Sequence, residues 1–211
     1  NMTLTNLSVS TLSTQAFGVY VHWPFCLSKC PYCDFNSHVR HGGIDQSRYV
    51  QAYLREIEAM AARTPGRTVS TIFFGGGTPS LFQPATIGRI LDTVAAVSSL
   101  TPDVEITLEA NPGTVERERL AGFRSAGIKR LSFGIQSFQG PLLTTLGRIH
   151  GPDDARTAIR AARTAGFDDL NLDLIFAVPG ETREAWAADV AEVLEWAPEH
   201  ISAYNLTYEP G

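Results

Sequence analysis

Outside one stretch of eight residues the chain has no cysteine at all. Its three cysteines, Cys26, Cys30 and Cys33, all fall within "CLSKCPYC". An odd, tightly clustered set of thiols makes no disulfide framework, which excludes a small stapled secreted scaffold. Long apolar runs are also missing, and none approaches the ~18 residues that a membrane span needs. A basic excess is lacking: 17 Lys and Arg against 22 Asp and Glu leave a net charge of −5. That balance argues against a nucleic-acid backbone as the main partner, which calls for a basic face. The opening "NMTLTNLSVSTLSTQ" has neither a basic start nor an apolar core, so it does not read as a secretory leader. Its Ser, Thr and Asn content predicts a flexible arm over residues 1–16 ahead of a core domain over residues 17–211. A reducing, cytoplasmic setting is expected, with the thiols kept for chemistry or metal.

What the chain does have is alternation. Runs rich in Val, Ile, Phe and Tyr, bounded by Gly, Pro or charged turns, predict strands at 18–23, 69–74, 104–110, 130–136, 170–176 and 200–206. Between them, Val50, Tyr53, Leu54, Ile57, Met60 and Ala61 keep helical spacing, as do Ile87, Ile90, Leu91, Val94 and Val97. "VERERLAGFRSAG" stops at Gly127, and "GPDDARTAIRAARTAG" opens on Pro152 and closes at Gly166, the expected asymmetry of helix ends. Strand–helix alternation of this kind predicts an α/β fold on a parallel sheet. Doubly wound sheets and (β/α) barrels both satisfy it.

The unusual residues collect where the predicted strands end. "CLSKCPYCDF" follows the first strand, "GGGTPS" the second, and "EANPG" ends the third. Gln136 ends the fourth, Asp173 lies towards the end of the fifth, and Thr207 follows the sixth. In parallel α/β folds the carboxyl ends of the strands build the active site. The glycine run lacks the Lys-Ser or Lys-Thr of a Walker loop and the G-x-G-x-x-G of a dinucleotide site, so phosphate binding is unsupported. Its glycines read as a sharp turn or as backbone stripped for close approach to a ligand.

The thiols have the spacing C-x3-C-x2-C. A structural zinc site needs four ligands and would borrow His22, His38, His41 or Asp34. A redox pair would use Cys30 and Cys33 alone. The third option is an iron–sulfur cluster held by thiolates. Three cysteines on a four-iron cluster leave one iron without a protein ligand, as a catalytic metal site leaves room for substrate.

Here the chain closely resembles the radical S-adenosylmethionine enzymes, in which an aromatic residue, here Tyr32, precedes the last cysteine. Within them it is similar to the oxygen-independent coproporphyrinogen III oxidase group. The matching stretches are "VYVHWPFC", "FFGGGTPSLF", "EITLEANPGTV", "RLSFGIQSF", "LGRIHG", "NLDLIFAVPGET" and "HISAYNLTYEPG". The resemblance implies a partial (β/α)6 barrel, an open parallel sheet with outer helices. It implies that Cys26, Cys30 and Cys33 bind a [4Fe-4S] cluster whose open iron chelates S-adenosylmethionine, and that one electron splits the sulfonium to a 5′-deoxyadenosyl radical. Tyr20 would line the cofactor site, and Gly76, Gly77 and Thr78 would border the methionine amino group. Glu109 would occupy an acidic ligand-binding position. Gln136 and Asp173 would take the ribose hydroxyls, Arg148 the methionine carboxylate, and Thr207 would lie near the adenine. Trp23, Phe25 and Phe35 are expected to pack around the cluster, and His22 and His150 to make structural hydrogen bonds.

The oxidases of the group carry a further cysteine two residues after the triplet, where this chain has Phe35. "CPYCDFNS" looks instead like the group's heme chaperones, which implies heme, heme-acceptor proteins and an electron donor for the cluster as partners of the full-length protein. Members of the group run on well past this length. The chain therefore reads as an N-terminal portion, whose sixth strand exposes Ile201, Ala203 and Leu206 on an uncovered face.

Overall fold

Val-, Ile- and Phe-rich runs buried on both faces suit a parallel sheet covered by helices. The computed structural model describes residues 16–207 except His41 and Glu116. The expected arm, apart from Ala16, lies outside the described residues, as does the zinc candidate His41. Strand β1 (Gly18–Trp23) leads into two short strands, β2 (Phe25–Cys26) and β3 (His38–Val39). There follow α1 (Gln46–Arg63), β4 (Thr68–Gly76), α2 (Pro84–Val97), β5 (Ser99–Ala110), α3 (Arg117–Ala126) and β6 (Arg130–Gln136). The remainder is α4 (Gly140–Thr145), α5 (Pro152–Thr164), β7 (Asp169–Phe176), α6 (Arg183–Glu195) and β8 (His200–Asn205).

The six long strands form one parallel sheet in the order β1-β4-β5-β6-β7-β8. The order never reverses, so the doubly wound alternative is excluded and the sheet winds as a barrel does. Strands β1 and β8 each have one neighbour, which leaves the sheet open, a partial (β/α)6 barrel. Ile201 and Ala203 on the edge strand are exposed as expected, whereas Leu206 packs beside Leu142, Leu146, Ile175 and Val178.

Helix ends follow local chemistry. Asp45 accepts from the Arg48 amide at the start of α1, and Thr182 does the same for Ala185 on α6. Pro84 and Pro152 each occupy the first turn of their helix. Gly127 and Gly166 follow α3 and α5 at positive φ, where a Cβ would be strained. Ala155, Ala158, Ile159 and Ala162 are the buried stripe of α5. Strand β5 is longer than the predicted 104–110. It advances from Leu100 to Glu105 while β4 advances only from Val69 to Thr71, so the Pro102 region, which lacks an amide donor, bulges off the ladder.

One turn is held by a charge. Gln136, at the end of β6, adopts φ 70°, which costs a non-glycine residue roughly 1–2 kcal/mol. Just beyond it, Asp189 of α6 is fully buried and accepts from the Ser137 hydroxyl, the Phe138 amide at 3.0 Å and Gln139 Nε2 at 3.2 Å. The three donors satisfy a carboxylate that has no cation partner among the described residues and fix the chain where it leaves the sheet. Replacing it by alanine strands the hydroxyl and the amide. Asp189→Ala is expected to lose on the order of 3 kcal/mol of unfolding free energy in a thermal or denaturant melt, and Asp189→Asn less, because an amide oxygen still accepts. An alanine variant that melts like the parent would show that the turn is held otherwise.

Candidate functional site

The cysteine segment is tied down before any side chain is considered. The Gly77 amide donates to Trp23 O at 2.6 Å and the Thr78 amide to Phe25 O at 2.9 Å. From the other side the His38 amide donates to Pro24 O at 2.7 Å and the Arg40 amide to Cys26 O at 3.1 Å. Residues 27–37 thus form a loop whose two ends are bonded into one backbone seam beside the end of β4. The glycines serve this seam as well as the cavity. A Cβ on Gly77 would lie 2.6 Å from Phe25 O, and one on Gly76 2.7 Å from Trp23 O. A Cβ on Gly75 would meet the Tyr20 ring at 2.8 Å.

Over the carboxyl ends of the strands lies a cavity of about 440 Å³. Cys26, Cys30, Cys33, Tyr32, Gly76, Gly77, Thr78, Glu109, Gln136, Arg148, Asp173 and Thr207 all line it. Tyr20 does not. Its side chain stacks on Phe73, is 59% exposed and covers the back of Gly75.

The three cysteines are free thiols. Among the described residues, no three His, Cys, Asp or Glu side chains converge as ligands of a single ion would. The three thiols line one cavity, and in a cubane each would bind a different iron, so they need not converge on one point. His22, a zinc candidate, is engaged elsewhere: its Nε2 is 2.9 Å from Asn36 O. Arg148 and Gln136 line the cavity, and Arg148 Nε and Gln136 Oε1 are buried without a hydrogen-bond partner among the described residues.

Arg148 is no surface charge. Its guanidinium donates to Gly134 O at 2.8 Å and reaches Cys30 Sγ and Tyr32 Oη, each at 3.4 Å. Tyr32 packs on Leu142, Leu146, Ile175 and Val178, which carries the middle of the cysteine loop across to the far wall. Burial raises its hydroxyl pKa. His150 is buried, its Nε2 donates to Ile135 O at 3.1 Å, and burial together with Arg148 lowers its pKa to about 4. Both histidines therefore make structural contacts. Phe35 departs from expectation. It is 58% exposed at the cavity rim rather than packed, while Trp23 and Phe25 join an aromatic cluster with Tyr49 and Phe82.

Two carboxyls share the cavity. Glu109 accepts from the Gly76 amide at 3.2 Å. Burial pushes its pKa up to about 7; the Gly76 bond lowers it, and the Asp173 charge raises it. Burial also raises Asp173, against hydrogen bonds from Asn171, Ser202 and Ser132. Ser132 and Asn171 lie within matched stretches but carry no assigned role there, since a polar residue facing inward in a strand resembles one facing water.

With this geometry in place, the comparisons are specific. Residues 20–193 match the Radical SAM superfamily. The chain belongs to that superfamily. It is 45% identical to the heme chaperone HemW of Escherichia coli (strain K12) over 192 residues, which cover 91% of this chain and 51% of that protein. It is 37% identical to the mitochondrial radical S-adenosyl methionine domain-containing protein 1 of Danio rerio, over 92% of this chain and 43% of that one. Among solved structures, the coproporphyrinogen III oxidase HemN from Escherichia coli superposes with a TM-score of 0.83 at 31% identity, covering 92% of this chain and 45% of that chain. The chain thus spans about half the length of the curated relatives it matches. No helix among the described residues is long and apolar enough to cross a membrane.

Two outcomes follow. Gly77→Ala forces the seam apart at Phe25 O, and is expected to cut the iron bound per chain on anaerobic reconstitution while the helical circular dichroism stays in place. Unchanged iron content would show that the seam does not position the thiols. For Glu109, a carboxyl whose folded pKa lies above its ordinary 4.5 holds its proton more tightly when folded. The stability it contributes is therefore present below about 4.5 and lost as pH rises through about 7. Glu109→Gln removes this loss, on the order of 3 kcal/mol, from the pH dependence of denaturant unfolding measured without ligand. Parallel pH profiles for the two proteins would refute it.

Proposed function

We propose that this chain provides the cofactor site of a radical S-adenosylmethionine heme chaperone. The supporting observation is the single cavity that gathers the three thiols, the glycine turn, two carboxyls and the Arg148 guanidinium. In this reading Cys26, Cys30 and Cys33 hold a [4Fe-4S] cluster which, when bound, supplies an open iron to S-adenosylmethionine and one electron to its sulfonium.

The chain's own groups then have separate tasks. The carbonyls and amides of Gly76, Gly77 and Thr78 border the methionine amino group, and the Glu109 carboxylate neutralises it. Arrival of a cation favours the ionised form of Glu109, offsetting the burial that favours its protonated form in the free site. Arg148 turns its planar donor fork to the methionine carboxylate. Gln136 and Asp173 take the ribose hydroxyls, and the backbone at Thr207 faces the adenine. Tyr20 acts on the site at one remove, through Gly75. The whole protein binds heme and passes it to acceptor proteins in the cytoplasm, with a separate electron donor reducing the cluster.

A second reading, an oxygen-independent coproporphyrinogen III oxidase, is favoured by the structural likeness to HemN. Phe35 speaks against it: an exposed phenyl ring at the rim stands where the oxidases of this group carry a thiol, and it can neither ligate iron nor relay a proton.

Anaerobic reconstitution of the full-length protein separates the readings. Iron and sulfide in equal amounts, heme binding, and no consumption of coproporphyrinogen are the expected results. Stoichiometric zinc that persists under iron-replete conditions would remove the cluster. Conversion to protoporphyrinogen coupled to 5′-deoxyadenosine release would establish the oxidase.

A further inference from the structure

Beneath the cavity floor lies an amide with every hydrogen-bonding position filled. Asn171 is buried on β7. Its Nδ2 donates to Ser132 Oγ on β6 at 2.8 Å and to Asp173 Oδ1 at 2.7 Å. Its Oδ1 accepts from Ser202 Oγ on β8 at 3.0 Å and lies 2.6 Å from His200 Nδ1, also on β8. A side-chain amide offers two donor hydrogens and two acceptor lone pairs, and here all four are used. The partners also fix its orientation. Turned over, it would set its carbonyl against the Asp173 carboxylate. With Oδ1 accepting, His200 Nδ1 must carry the hydrogen.

Ser132 and Asp173 line the cavity, whereas Asn171, His200 and Ser202 do not. The amide is therefore a support for Asp173, braced from the other side by two residues of an edge strand. We propose that Asn171 is a positioning residue for the hydroxyl-bearing ligand that Asp173 takes, and that through it strand β8 sets the affinity of the cofactor site. The proposal rests on the reading that Asp173 accepts the ribose hydroxyls of S-adenosylmethionine.

The physical argument has two parts. With Oδ1 engaged by Asn171, the carboxylate is fixed in rotation and its remaining lone pairs point in set directions, so little freedom is lost when hydroxyls arrive. The same bond stabilises the ionised form in a place where burial opposes it, and an ionised carboxylate is the stronger acceptor. Strand β8 reaches Asp173 through the Asn171 amide that Ser202 and His200 brace, and through the Ser202 hydroxyl beside the carboxyl, and among the described residues β8 is held to the sheet by β7 alone.

The test uses anaerobically reconstituted full-length protein, with S-adenosylmethionine affinity read by equilibrium dialysis and iron content measured alongside. Asp173→Ala weakens binding about tenfold or more. Asn171→Asp keeps the size of the side chain and replaces the amide donor with a second carboxyl. Its loss is small at low pH, where residue 171 is protonated and still donates, and grows to about tenfold as it ionises. The charged groups facing this pair are Glu109 from β5, His200 from β8 and Arg148 beyond β6. All three are present in both proteins, so the difference between the two profiles reports residue 171. In the Asp173→Ala background the second change costs nothing further. Ser202→Ala, on the edge strand, weakens binding about threefold at unchanged iron content.

A loss in Asn171→Asp that does not vary with pH and persists in the Asp173→Ala background would make Asn171 a support of the fold alone. The proposal then falls while the ribose reading stands. If Asp173→Ala binds like the parent, the ribose reading fails and takes the proposal with it. Should Asn171→Asp not fold, unchanged affinity in Ser202→Ala overturns the proposal.

Discussion

The site depends on one backbone seam, where the chain leaving β4 lies against the chain leaving β1. Two amides, of Gly77 and Thr78, donate across it to Trp23 and Phe25. Side chains larger than hydrogen at positions 76 and 77 would hold the two segments apart. Everything at the cavity follows from that contact. It sets where the cysteine loop starts, it aims the Gly76 amide at Glu109, and it places the thiols beside the strand ends rather than out in solvent.

The order of elements was readable because most strands are short apolar runs and the crossovers through α2, α3 and α5 open on a proline or end on a glycine. The limits of β1 and β6 coincide with the runs that announce them. Periodicity gave no hint of α4, since six residues are too few to show a repeat, nor of β2 and β3 with two residues each. The choice between winding patterns lay in strand order, which periodicity does not encode. Motif likeness singled out about half of the residues that line the cavity, because those positions answer to a ligand rather than to the fold. It could not reveal Asp189, which sits in an amphipathic helix and looks like any surface acid, nor Asn171, which looks like the polar half of an alternating strand. Both are recognisable only once their donors are seen in space.

The glycine run shows how a correct location can carry an incomplete reason. Read in the sequence, it offered backbone to a ligand. In the structure, the direction in which each missing Cβ would point is occupied by the protein itself: the Tyr20 ring, Trp23 O and Phe25 O. Phe35 shows the reverse. Its place two residues after the last cysteine suggested packing, but the loop turns back through the Ser37 amide to Phe35 O and leaves the ring outward.

The strands stand in the sheet in the same order as along the chain, and this has a consequence for biosynthesis. Each new strand can add to a neighbour already made, so contacts stay short in sequence and the sheet can grow as the chain emerges from the ribosome. The thiols belong to the first unit and would be present early. Asp173 arrives with the fifth long strand, Asn205 ends the sixth, and Leu206 and Thr207 follow it. A nascent chain therefore exposes its cysteines long before the opposite wall exists to cover them, and the interval of greatest vulnerability to oxidation falls during translation rather than after it.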